Sequence, residues 1–275
     1  MVVEIQMDWM SVLRNIAFEV RNVTLPFFGA KEARVPVRHG AGGHITEKID
    51  AIAEDMIVRI LRQLDEPCIL VSEEAGTKKF GENPDTYIVV DPIDGTTNAT
   101  RGIPFFATSL AISNVPRLSG VTHGLVMDLF SGATFCAEKG RGATLNGKQI
   151  KPSQASRVDE AVIGVDLSTP GYSSLRSLIP LLARIKYSRH LGANALELCY
   201  VAAGISDAFI DIRKKLRVTD VAAAHFILKE AGGVVVTPDG KTFDADLKPT
   251  QRVAFIAAAN HLLLQDIQRH MKINL

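Results

Sequence analysis

The residues able to do chemistry concentrate in Asp91-Pro92-Ile93-Asp94-Gly95-Thr96-Thr97-Asn98. Two carboxylates flank a Pro-Ile pair, directly after the apolar run Tyr87-Ile88-Val89-Val90, which reads as a buried strand. Pro92 has a fixed φ and no N–H, so it should end the ladder between the two acids. Asp94 is placed to cap a helix that begins with Gly95-Thr96-Thr97. Hard anionic oxygens therefore stand beside the unpaired N–H groups of a helix start. Carboxylates bind Mg2+, and such N–H groups bind phosphate. A site that holds both is suited to phosphoryl chemistry.

More acids stand where other elements end or begin. Cys68-Ile69-Leu70-Val71 reads as a short buried strand, and it runs into Ser72-Glu73-Glu74. Asp220, within Val218-Thr219-Asp220-Val221-Ala222-Ala223-Ala224, falls in the first turn of a helix, where the dipole favours a carboxylate. Taken singly, these acids read as a solvated strand end and a helix cap.

The elements that position them follow from periodicity. Residues 3–28 repeat apolar side chains at helical steps (Trp9, Val12, Leu13, Ile16, Ala17, Val20), and Pro26 and Gly29 stop the helix. Residues 31–43 combine Lys31, Arg34, Arg38 and His39 with three glycines and read as a flexible loop. Residues 46–64 form an amphipathic helix capped by Thr46, with Ile45, Ile49, Ile52, Met56 and Ile60 as its buried stripe. From residue 105 to 135, short strands separated by turn residues predict an antiparallel meander, and Gly140–Gly147 reads as a structural hairpin. Lys151-Pro152-Ser153-Gln154-Ala155-Ser156 is polar and breaks the pattern, which puts a boundary near 150–158. Beyond it strand and helix alternate: strands at 161–165, 208–211, 234–236 and 253–257, helices at 172–183, 190–203, 219–231 and 261–270. That alternation indicates an α/β half.

Asp91–Asn98 resembles the first signature of the inositol monophosphatase family. Val218–Ala224, followed by Glu230-Ala231-Gly232-Gly233, resembles the second, with Thr219 in place of the usual aromatic. The likeness covers nearly the whole chain and is strongest to archaeal members that act on both inositol monophosphate and fructose 1,6-bisphosphate. It implies an α+β/α/β fold, a layered αβαβα sandwich of the sugar phosphatase type. Residues 1–155 would form an α+β half with the metal motif, and 156–275 an α/β half that completes the site.

The resemblance also assigns roles. Glu73, Asp91, Asp94 and Asp220, with the Ile93 carbonyl, would ligate Mg2+: two or three ions, with Mn2+ as a substitute and Li+ as an inhibitor. Crowded carboxylates repel without cations, and they suit two ions about 3.5–4 Å apart. The Gly95 and Thr96 N–H groups would hold phosphate oxygens, Thr96 would help deprotonate the attacking water, and Glu74 would help position it. Gly192, Ala193 and Asn194 would wall the substrate ring, and Asp211 would bind its hydroxyls. Arg189, joined by Arg213, Lys214 and Lys215, would engage a second phosphate, unless the last three form a solvated basic turn. The 31–43 loop would close near the metals. A homodimer is the family expectation, and the cytoplasm is the default location where no signal peptide is evident.

One position departs. The matching archaeal pattern reads Gly-Ala-Asp-Gly, where this chain has Gly40-Ala41-Gly42-Gly43. Glu47 or Asp50 could substitute from the following helix, although neither lies at the matching place. Water activation then falls to Glu74 and Thr96, or activity is low and the chain is a weakly catalytic sugar-phosphate binder. Haloacid-dehalogenase phosphatases carry Asp-x-Asp-Gly-Thr, whereas the spacing here is Asp-x-x-Asp-Gly-Thr. Phosphoadenosine phosphatases share the signatures but are usually longer chains.

Composition closes off other classes. With 275 residues the chain can bury a sizeable core in one or two domains. A net charge of +1 gives no field to recruit nucleic acid or a membrane surface. Cys68, Cys136 and Cys199 lie far apart in apolar contexts and read as reduced core residues, not as a zinc site or a disulfide framework. No signal peptide and no apolar run of spanning length is evident.

Overall fold

The computed structural model describes residues 7–40 and 45–271. Gly42, and the start of the expected first helix at residues 3–6, lie outside the described residues. The elements run α1 (Trp9–Thr24), β1 (Pro36–His39), β2 (Ile45–Glu47), α2 (Lys48–Gln63), β3 (Cys68–Ser72), β4 (Gly76–Phe80), β5 (Thr86–Asp94) and α3 (Thr96–Arg101). Then come β6 (Ala107–Ser113), β7 (Val121–Asp128), β8 (Thr134–Glu138), β9 (Ala143–Leu145) and β10 (Lys148–Gln149). After an irregular stretch follow β11 (Val162–Val165), α4 (Tyr172–Leu182), β12 (Tyr187–Arg189), α5 (Asn194–Ala202), β13 (Ala208–Arg217), α6 (Val218–Ala231), β14 (Val234–Val236), β15 (Arg252–Ala258) and α7 (His261–His270).

Two sheets and three helix layers stack as αβαβα. The first sheet has eight strands in the order β10-β9-β8-β7-β6-β5-β3-β4, and the second has five, β12-β11-β13-β15-β14. Strand side chains alternate between faces. Cys68, Leu70, Ile88 and Val90 therefore pack on one side of the first sheet with Leu13 and Ile16 of α1 and Ile49 and Ile57 of α2. Ile69, Val71 and Val89 face the other way, onto Leu196 of α5 and Val221 and Ile227 of α6. Phe209 and Phe255 of the second sheet close this middle layer. Ile163, Ile210 and Ile256 point outward onto α4 and α7. The middle position explains α6: every residue from Val218 to Leu228 is buried, because a helix between two sheets has no polar face to spare. Its Ala222-Ala223-Ala224 run permits close approach. A Cβ on Gly124 of β7 would meet the Ala223 carbonyl oxygen at 3.0 Å.

The expected meander is present, with β5 through β8 antiparallel in sequence order. Some expectations need correction. The 31–43 segment is not wholly loop: Lys31–Arg34 is a 3-10 turn and β1 pairs with β2 in a small hairpin. Thr46 lies in β2, not at a helix cap, and Glu47 occupies the N-cap position of α2. The stripe of α2 is rotated, so that Ile49, Ala53, Ile57 and Leu61 are buried while Ile45 is exposed. Ladder pairing skips Pro92 but resumes at Asp94↔Ala107, so the strand survives the proline as an irregularity. Helix α5 starts at Asn194, and His190 to Ala193 remain extended or turned. Gly140 and Gly142 belong to a turn whose N–H groups are held by Glu230 Oε2, which fits a structural hairpin. No helix among the described residues is long and apolar enough to cross a membrane.

Candidate active site

Strands β3 and β5 run parallel, and their carboxyl ends lie side by side. Glu73 follows β3, and Asp91 sits in the irregular end of β5. Asp220 comes from the second half of the chain, in the first turn of α6. Glu73, Asp91 and Asp220 each offer a carboxylate oxygen, and these atoms all lie within 4.8 Å of one another. Beside them is a cavity of about 150 Å³ lined by Glu73, Glu74, Asp91, Pro92, Ile93, Thr96 and Asp50.

Asp94 does not cap α3. That N-cap is Gly95, in the left-handed region at φ 88°. The Asp94 carboxylate reaches across to α5 instead, accepting the Asn194 N–H at 3.0 Å and the Ala195 N–H at 2.6 Å. Gly95 is required by space as well as by φ: a Cβ there would meet Ala193 Cβ at 3.0 Å. Asn98 of α3 donates to the Leu191 carbonyl at 2.7 Å. The segment 191–195 is thus pinned to the Asp-Pro-Ile-Asp motif at both ends.

Asp50, one of the two substitutes the sequence offers for the missing acid, supplies a carboxylate here. Its side chain is buried on α2, and its Oδ1 accepts the Thr96 hydroxyl at 2.8 Å. Thr96 Oγ1 also lies 3.1 Å from the Ile93 carbonyl. Glu74 is buried next to this pair and accepts the Thr46 hydroxyl, while its N–H donates to Ser72 Oγ at 3.2 Å. The available signal was the Asp50/Glu54 spacing on the inner face of α2, two acids four residues apart on a buried stripe.

Burial and mutual repulsion dominate the electrostatics. Burial raises Asp91 well above the carboxylate range, reinforced by the Glu73 and Asp220 charges. Glu73 is raised by burial and by Asp220, against the Arg217 guanidinium that pairs with it. Burial pushes Asp94 up to about 8 despite the Ala195 N–H, and Asp50 up to about 7 despite the Thr96 hydroxyl. Asp220 is raised by burial and partly restored by the Arg217 N–H. Such a cluster favours cations. The donor set is oxygen only, with no thiolate or imidazole, and this fits hard Mg2+ or Mn2+ better than zinc.

The expected substrate residues are placed unevenly. Asp211 is fully buried, and its carboxylate holds Arg213, which also pairs with Asp166 and donates to the Ser168 carbonyl at 2.8 Å. Ala193 is fully buried against Gly95, and the Gly192 N–H donates to Glu197 at 3.3 Å. Asn194 is half-buried beside Asp94. Arg189 is exposed at the sheet edge, 6.0 Å from the Tyr187 ring centroid. Of the basic turn, Arg213 is internal, Lys215 is tied to Thr169, and Lys214 is exposed.

Comparison with known proteins follows the same lines. Residues 10–272 match the inositol monophosphatase family model. A fructose-1,6-bisphosphatase/inositol-1-monophosphatase of Methanothermobacter thermautotrophicus is 36% identical, over 96% of this chain and 97% of that one. The protein of the same description from Thermococcus kodakarensis is 35% identical, over 97% and 98%. The crystal structure of an inositol monophosphatase-fructose 1,6-bisphosphatase superposes with a TM-score of 0.87 at 34% identity, covering 96% of this chain and all of the other. The acid cluster at the joined strand ends, the layered fold and these matches agree: the chain belongs to the inositol monophosphatase family of phosphoric monoester hydrolases.

Proposed function

We propose that the chain hydrolyses small phosphomonoesters, inositol 1-phosphate and fructose 1,6-bisphosphate among them, in a Mg2+-dependent reaction. The observation that carries this reading is the convergence of Glu73, Asp91 and Asp220 within 4.8 Å. Asp94 and the Ile93 carbonyl would complete the ligand set. When bound, the cations would neutralise the carboxylates, polarise the phosphate and stabilise the leaving alkoxide.

The chain's own groups supply the rest. The Gly95 and Thr96 N–H groups at the start of α3 would hold phosphate oxygens. The Thr96 hydroxyl donates to Asp50, so its oxygen could accept a hydrogen bond from water and relay that water's proton to the Asp50 carboxylate. Asp50, lifted by burial to about 7, is a base matched to neutral pH. Glu74, oriented by Thr46, would orient that water. The Asp50–Thr96 bond supports turnover over the binding-only alternative raised by Gly42. Mn2+ as a substitute and Li+ as an inhibitor belong to the same reading.

We also infer a homodimer acting in the cytoplasm. The free, buried thiols of Cys68, Cys136 and Cys199 fit a reducing compartment. Exposed Tyr172 and Ile179 on α4 and Tyr187 on the edge strand β12 support contact with a second copy.

The test is phosphate release from inositol 1-phosphate and from fructose 1,6-bisphosphate, each with Mg2+ and with a chelator. Chelator-sensitive turnover supports the reading. Tight substrate binding without turnover would transfer it to the binding-only alternative.

A further inference from the structure

Arg217 touches two members of the acid cluster. Its backbone N–H donates to Asp220 Oδ2 at 2.9 Å, and its guanidinium Nη1 pairs with Glu73 Oε1. The two side chains of that pair are only 11% and 15% exposed, so water screens the charges weakly. Arg252, its register partner on β15, donates to the Lys215 carbonyl at 2.5 Å and acts on Asp220 from farther off.

A guanidinium stays protonated at any working pH. Placed against a metal ligand, it opposes the binding of divalent cations. If the cluster served cation capture alone, an arginine here would work against it. The charges suggest what it does serve. Glu73, Asp91, Asp94 and Asp220 carry four negative charges, which two divalent cations would cancel. Glu74 and Asp50 line the same cavity, so the loaded centre would still repel a phosphate dianion. Arg217 offsets part of that remaining negative charge.

We propose that Arg217 sets the charge of the loaded centre: it weakens cation binding and strengthens phosphate binding at the same cluster. This rests on the metal-dependent reading above. The alternative is a latch that merely ties α6 to the end of β3. A latch lost would loosen the whole cluster and weaken both ligands together, whereas a charge lost moves them in opposite directions.

The test uses the full chain stripped of metal, as wild type, Arg217→Gln and Arg217→Lys, with folding checked by far-UV circular dichroism. Calorimetry titrates Mg2+ into each protein, then inorganic phosphate into the Mg2+-saturated protein. Arg217→Gln should bind Mg2+ at least about threefold tighter and phosphate at least about tenfold weaker. Arg217→Lys, which keeps the charge, should retain phosphate affinity within about threefold of wild type. Unchanged phosphate affinity in Arg217→Gln, or Mg2+ bound no tighter than by wild type, overturns the proposal. If Arg217→Gln does not fold, Arg217→Met is read against the same thresholds. A wild-type chain that takes up no Mg2+ sinks the metal-dependent reading instead, and this inference with it.

Discussion

The carboxylate of Asp94 holds the Ala195 N–H at 2.6 Å, so an acid of the first signature fastens the start of a helix in the other half of the chain. Asp94→Asn removes the charge and one acceptor. The lost acceptor costs about 1–3 kcal/mol. Relief of repulsion in a cluster where burial pushes Asp94 up to about 8 offsets a similar amount. Stability by urea denaturation should therefore change by less than about 2 kcal/mol, while turnover falls at least about a hundredfold. Retained turnover would sink the ligand assignment.

Asp50→Asn should lower kcat by about 10²–10⁴-fold with little effect on KM, since it withdraws the proton acceptor behind Thr96. The wild-type rate should rise with pH as Asp50 loses its proton, because the charged form is the base. Its metal-free value is about 7, and nearby cations, which favour the charged form, move that limb to lower pH. A pH–rate profile of Asp50→Asn should lack the limb. An identical profile in the variant would assign the titration elsewhere.

Gly95→Ala imposes a left-handed backbone on an L-residue and brings its Cβ to 3.0 Å from Ala193 Cβ. The backbone alone costs about 1–2 kcal/mol, and the contact between the halves adds to it. Chemical denaturation should show a loss of at least about 1 kcal/mol, and phosphate affinity should fall as the loop shifts. A variant as stable as wild type would mean that the interface yields freely.

Removing metal should cost stability as well as activity. With Mg2+ at a hundred times its Kd, linkage adds about 2.7 kcal/mol. A chelator should lower the unfolding temperature by several degrees and Mg2+ should restore it. No Mg2+-dependent shift would argue that the acids hold no cation.

His225 gives a stability signal separate from the metals. It is buried on α6 against Phe243, and its Nδ1 has no hydrogen-bond partner among the described residues. Burial pushes its pKa down to about 4 from 6.5. The unfolded chain therefore takes up the proton first. Stability is full above about 6.5 and declines as pH falls toward 4, by roughly 3 kcal/mol across that window. Urea denaturation of His225→Phe should show a shallower decline between those limits. An unchanged slope would assign the loss to other groups.

Much of the site was readable in the chain because its acids sit at element boundaries. Asp91 and Asp94 lie at the end of a strand and Asp220 opens a helix, and local pattern finds such places. Asp50 is legible only as an off-register substitute, because its partner, Thr96, lies 46 residues on, and pairing at that distance is a property of packing. The helical stripe was misplaced for a related reason. Ile45, Ile52 and Met56 satisfy the period as well as Ala53 and Ile57 do, and only the sheet beneath α2 decides which set is covered. Asp94 was read as a local cap because sequence shows α3 beside it and hides α5. The layered order of sheets and helices was legible as a family resemblance, whereas the β1–β2 hairpin, made of short strands in a glycine-rich stretch, carries little periodicity.

The division of the proposed ligand set between the two halves has a consequence for how such a chain is made. Glu73, Asp91 and Asp94 leave the ribosome well before Asp220 and the α5 turn that Asp94 holds. Domains form as units during synthesis, N-terminal parts first. A nascent chain, or one cut short before α6, carries most of the acids but lacks the Asp220 carboxylate. On the proposed ligand set, hydrolytic capacity would be complete only once translation has passed residue 220, and unfinished products would stay inert toward the phosphate esters around them.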